Sequence, residues 1–89
     1  MGRVLLVDDE PAVVYALKEF ARLAGHDPVA AASGKEALGL LEGVDAVIAD
    51  YAMPGMNGVE LLQAVRERDD TLPVIILTAQ GSERVAVQA

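Results

Sequence analysis

Arg3-Val4-Leu5-Leu6-Val7-Asp8-Asp9-Glu10 is the stretch that decides the fold. Four consecutive apolar residues end abruptly in three acids. The run does not alternate polar with apolar, so it reads as a strand buried on both faces, the pattern of a parallel strand covered by helices on each side. Two more runs have the same character: Ala46 to Ala49 (AVIA), followed by Asp50, and Pro73 to Leu77 (PVIIL), followed by Thr78. A weaker run, Val29 to Ala32 (VAAA), suits an edge strand.

Amphipathic stretches separate the runs. Pro11 to Ala24 places Val13, Val14, Leu17, Phe20, Ala21 and Ala24 at helical spacing, with Pro11 suited to a first helical position and Gly25 just past the end. Ser33 with Glu36 forms a capping-box pattern before Ala37, Leu38 and Leu41. Asn57 with Glu60 gives a weaker version before Val59, Leu62 and Val65. Ser82 onward predicts another helix start, with Val85 and Ala86 inside it. Strands alternating with such helices predict a parallel α/β sheet with right-handed crossovers.

The chain has 89 residues, which bounds it to one small domain. It is 53% apolar but only 3% aromatic, so Val, Leu, Ile and Ala must build the core. The formal net charge of −7 disfavours contact with nucleic acid or anionic membranes and suits a divalent cation or a basic partner. Most of the 14 acidic residues serve solubility. With no Cys there is no disulfide framework and no thiolate metal site. No apolar run approaches bilayer-spanning length and no signal-peptide layout opens the chain, so a cytoplasmic location is the expectation. No helix stop signal precedes Ala89, and no later strand follows Pro73 to Leu77. The chain is therefore expected to be a fragment whose last strand lies on a sheet edge, open to dimer formation through that edge.

In an open parallel sheet the carboxyl ends of the strands share one edge, where ligands bind. Asp8, Asp9, Asp50 and Thr78 all fall there by sequence. Close carboxylates repel one another unless a cation intervenes, and oxygen ligands without Cys or His favour magnesium, manganese or calcium. Taken singly, Asp8 and Asp9 could assist the next helix start, Asp50 could open a turn and Thr78 could cap one. Three strand ends each supplying what one phosphoryl site needs is a far less ordinary coincidence.

Val4-Leu5-Leu6-Val7-Asp8-Asp9-Glu10, Ala46 through Gly58 (AVIADYAMPGMNG) and Pro73-Val74-Ile75-Ile76-Leu77-Thr78-Ala79 together resemble the three signature segments of response-regulator receiver domains. The resemblance covers essentially residues 1–89, as a receiver incomplete at its C-terminus. It implies a flavodoxin-like doubly wound parallel sheet with four of five strands present, in the order 2-1-3-4. It also implies a role for each residue. Asp50 would accept a phosphoryl group from a sensor histidine kinase. Asp9 would bind Mg2+ directly and Asp8 largely through water, with the carbonyl of Ala52 as a further ligand. Thr78 would hydrogen-bond the phosphoryl group beside the small Ala79, and Pro54 and Gly55 would shape the loop. A finer resemblance, carried in part by Gln80-Gly81-Ser82, is to receivers attached to ATPase-type transcription activators, so an output domain would lie outside this chain.

Such receivers also carry a lysine at the end of a fifth strand, and nothing here matches it. Lys18 and Lys35 fall in predicted helices and read as solvated surface charge. His26 reads as a surface residue. Two other functions compete. A phosphohydrolase of the haloacid-dehalogenase type needs a second acid two residues after its nucleophile, where this chain has Ala52. A degenerate receiver would be a phosphorylation-independent interaction module. The expectation is a phosphoacceptor, not a turnover enzyme.

Overall fold

A computed structural model describes residues 2–78 and 84–88, with side chains through residue 77. Strand β1 (Arg3–Val7) leads to α1 (Pro11–Leu23), β2 (Asp27–Ala31), α2 (Gly34–Leu38), β3 (Ala46–Asp50), α3 (Gly58–Arg68), β4 (Val74–Thr78) and β5 (Arg84–Gln88). The sheet order is β2-β1-β3-β4-β5. The first four strands are parallel in the order expected.

The local reasons are those the sequence supplies. Pro11 opens α1, where its missing N–H costs nothing, and Gly25 follows the helix at φ 86°. Asn57 caps α3 with a complete box: its Oδ1 accepts from Glu60 N at 2.8 Å and Glu60 Oε1 accepts from Asn57 N at 2.9 Å. At Ser33 the box is half made. Ser33 Oγ accepts from Glu36 N at 3.1 Å, but Glu36 Oε1 takes Ala32 N instead of the cap's own N–H. Helix α2 also stops at Leu38 with Gly39 as its cap, so Leu41 lies beyond it and packs against the core from the following loop.

The predicted helix from Ser82 is not what residues 84–88 form. Ser82 itself lies outside the described residues, and Arg84–Gln88 is a strand antiparallel to β4. Only residues 79–83 separate the two strands, whereas a parallel crossover needs a dozen or more residues. The β-branched Val85 and Val87 favour a strand, and the open edge of β4 supplies its hydrogen bonds. β4 is therefore not an edge, which removes the basis of the expected edge-to-edge dimer at that strand.

One side of the sheet holds the main core. Leu5, Val7, Val47, Ala49, Val74 and Ile76 pack against Ala37 of α2 and Leu61 and Val65 of α3. Leu5, Val47, Val74, Leu61 and Val65 are completely buried. Burying such side chains contributes about 1.5–3 kcal/mol each, reckoned against an extended unfolded chain.

Candidate phosphoacceptor and metal site

The carboxyl ends of β1 and β3 bring three acids together. Asp8, Asp9 and Asp50 each present a carboxylate oxygen, and the three atoms lie within 4.8 Å of one another. Backbone bonds fix this geometry. Asp8 N donates to Ala31 O at 3.2 Å, tying the end of β1 to that of β2. Tyr51 N donates to Leu77 O at 2.8 Å, holding the exit of β3 against β4. Gly58 N then donates to Tyr51 O at 2.9 Å, so the loop after Asp50 returns to its own strand. Gly55, at φ 80°, provides the left-handed residue the sequence anticipated in that loop.

The three carboxylates differ in environment. Asp8 is buried, Asp50 half-buried and Asp9 exposed. Asp8 Oδ1 accepts from Glu10 N at 2.9 Å. Burial pushes the Asp8 carboxyl above the ordinary aspartate range. The Glu10 hydrogen bond opposes this, and the charges of Asp50 and Asp9 push it further up. A site that raises the cost of its own negative charge is one that a cation relieves. The donor set is all oxygen, which fits a hard divalent ion such as Mg2+.

Thr78 is the last residue of β4, one position beyond Leu77, which pairs with Asp50 across the β3–β4 ladder. Its backbone thus lies on the same sheet edge as the acids. Ala52 lies in the loop one residue past Tyr51. Ala79 and Gln80-Gly81-Ser82 lie outside the described residues.

One neighbour escaped the sequence reading. Lys18 is half-buried, and it lines a groove of about 390 Å³ with Asp8, Asp9, Tyr15 and Glu36. It is not simply a solvated surface charge. Its spacing of three and four residues from Tyr15 and Val14, both in the same groove, is one that solvated residues share, so the sequence alone carried no signal that placed it there. Lys35 and His26 are exposed as expected; His26 Nδ1 accepts from Gly2 N at 3.3 Å.

Comparison with known proteins agrees with this geometry. The transcriptional regulatory protein CpxR of Escherichia coli K12 is 42% identical over 84 residues, covering 93% of this chain and 36% of CpxR. The response regulator protein FleR of Pseudomonas aeruginosa is 44% identical over 90 residues, covering 99% of this chain and 19% of FleR. The chain thus spans little more than a third of the curated relatives' length, or less. Among solved structures, the response regulator TrrA of Thermotoga maritima, crystallised with Mg2+ and a beryllofluoride, superposes with a TM-score of 0.84 at 38% identity, over 89% of this chain and 70% of TrrA. TrrA in complex with the histidine kinase ThkA gives 0.84 at 37% identity, over 94% of this chain and 74% of that one. Residues 4–89 match the family described as the response regulator receiver domain, and the chain belongs to that family.

Proposed function

We propose that this chain is a phosphoacceptor, taking a phosphoryl group from a sensor histidine kinase onto Asp50 with Mg2+ present. The observation that carries the reading is the convergence of the Asp8, Asp9 and Asp50 oxygens within 4.8 Å at the ligand-binding edge of the sheet. An Asp50 oxygen forms the new P–O bond. The P–N bond to the donor imidazole breaks, and its electron pair stays on the ring nitrogen.

A carboxylate needs no general base for this attack, so catalysis rests on positioning and charge stabilisation. The ladder between β3 and β4 positions Asp50. Asp9, Asp8 and the Ala52 carbonyl would hold the cation together with Asp50, and the bound cation would offset charge on the phosphoryl oxygens. Thr78 would donate its hydroxyl to a phosphoryl oxygen and respond to the added charge. On this reading the chain is cytoplasmic, does not turn over external substrates, makes no contact with nucleic acid and signals to an output domain outside these residues. The kinase complex of TrrA supports such a donor.

The test is intact-protein mass after incubation with acetyl phosphate, with and without Mg2+, beside Asp50→Asn. The expected result is a gain of about 80 Da, dependent on Mg2+ and absent from the variant. No gain would refute the reading and leave the phosphorylation-independent interaction module in its place.

A further inference from the structure

With no Cys in the chain, its thioethers are the sulfur that a peroxide meets first. There are three Met. Met1 lies outside the described residues. Met53 is buried in the core, at 7% exposure. Met56 is half-buried and packs against the core from its edge. It also lines an open groove of about 710 Å³, with Ser33, Gly34 and Lys35 on one wall and Pro54, Gly55 and Glu60 on the other. A small oxidant therefore has a path to Met56 that it lacks to Met53.

The Met56 side chain has a fitted seat. Gly34 opens α2 and is buried. A Cβ on Gly34 would stand 2.8 Å from Met56 Sδ, 3.1 Å from its Cγ and 3.2 Å from its Cβ. Three consecutive side-chain atoms thus lie flat on the bare face of the glycine. This contact ties the start of α2 to residues 51–57, the loop between β3 and α3. Within that loop Tyr51, Ala52, Pro54 and Gly55 are exposed. Met53 and Met56 are its apolar side chains that reach the core. The same loop starts directly after Asp50 and carries the Ala52 carbonyl.

We propose that Met56 is a reversible oxidation site, and that its conversion to the sulfoxide by a peroxide unseats this loop and slows phosphorylation of Asp50. A sulfur lone pair attacks one oxygen of hydrogen peroxide, so the S–O bond forms as the O–O bond breaks. The proton on the attacked oxygen passes to the departing one, which leaves as water. Sulfur gives up two electrons and the peroxide takes them. The product is a polar group that must reach water or a donor. No oxygen fits between the sulfur and Gly34, where even a Cβ finds too little room. Turning the oxygen into the groove lifts the sulfur off its seat. The loop then loses one of its two apolar anchors, and Asp50 and the Ala52 carbonyl lose their fixed spacing.

Limited hydrogen peroxide on the whole chain, with peptide mass mapping, reads which sulfur gains oxygen. Met56 should oxidise about tenfold or more faster than Met53, which reacts only when the core opens. The oxidised chain should melt about 5–10 °C lower and take up phosphoryl from acetyl phosphate and Mg2+ about fivefold or more slowly. A methionine sulfoxide reductase should restore both. Met56→Leu, a volume-conserving change, should keep its Tm and its uptake in the same peroxide. Met53 oxidising as fast as Met56 overturns the proposal, as does an oxidised parent with unchanged Tm or unchanged uptake. Equal losses in Met56→Leu overturn it too, by placing the damage at another sulfur. The effect on uptake rests on the phosphoacceptor reading. An untreated parent that takes up no phosphoryl group refutes that reading, while mapping and Tm still decide whether oxidation at Met56 unseats the loop.

Discussion

Gly58→Ala tests whether the loop after Asp50 is as tightly seated as the structure shows. Gly58 is buried at the first position of α3. A Cβ there would lie 2.9 Å from Asp50 O, 3.0 Å from Tyr51 Cα and 3.1 Å from Ile76 Cγ2. Two of the three atoms are backbone and cannot rotate aside. The helix start must retreat by a few tenths of an ångström, straining the 2.9 Å bond from Gly58 N to Tyr51 O. Overpacking of this kind costs about 1–3 kcal/mol. Replacing Gly by Ala inside a helix returns at most about 1 kcal/mol, and less in the first turn. The net expectation is a loss of about 1–2 kcal/mol, or roughly 5–15 °C in Tm for a domain of this size. Urea titration with an unchanged m-value measures it. Two internal comparisons sharpen the test. At Gly34 the Cβ would meet Met56 Sδ at 2.8 Å and Cγ at 3.1 Å, which can swing away, and only Met56 Cβ at 3.2 Å must give by a few tenths of an ångström, so Gly34→Ala should cost less. At Gly39 the nearest atom is Glu36 O at 3.5 Å, an ordinary contact, so Gly39→Ala should stay within about 0.5 kcal/mol of the parent. A Gly58→Ala chain as stable as the Gly39→Ala chain would refute the packing argument.

Asp8→Asn should stabilise the metal-free chain at neutral pH, because ionised Asp8 is disfavoured by burial and by its acidic neighbours. Its folded pKa exceeds the unfolded one, so the parent loses stability as pH rises between the two values; the advantage of the variant should fade on acidification toward the unfolded value. Adding Mg2+ should stabilise the parent by about 1.4 kcal/mol at ten times the dissociation constant and stabilise Asp8→Asn less, read as a smaller rise in Tm; an equal rise in both would separate Asp8 from the cation. Asn57→Ala removes the side-chain acceptor of the complete box and should cost about 1 kcal/mol in the same urea assay. Gly55→Ala meets no atom within 4 Å but must hold φ near +80°, so a cost of about 1 kcal/mol from backbone strain alone is expected; no cost would mean the loop relaxes to another turn.

Three of the four parallel strands were legible because each is a short apolar run ending at a polar residue of clear chemistry, whereas β2, read only as the weaker run Val29 to Ala32, runs from Asp27 to Ala31. The same feature exposed the site: Asp8, Asp9 and Asp50 are conspicuous where buried runs stop. What the sequence hid depended on tertiary neighbours. Asn57 looked the poorer cap beside Ser33, yet it closes both bonds of its box while Glu36 reaches past Ser33 to Ala32. Lys18 sits at a spacing shared by solvated and groove-lining residues, and only the position of β2 tells them apart. Residues 84–88 carry both helix-compatible and strand-compatible types. The connection from β4, too short for a crossover, decided between them.

The reversed direction of β5 has a practical consequence for handling the molecule. Gln88 pairs with Val74 at the start of β4, and Arg3 opens β1 beside Asp27. The first and last strands therefore enter and leave the sheet at one end, and Asp50 closes β3 at the other. A fluorophore or surface tether placed beside Arg3 or Gln88 sits at the end of the sheet away from the carboxylate cleft, leaving that cleft open to solvent and to whatever donor approaches it.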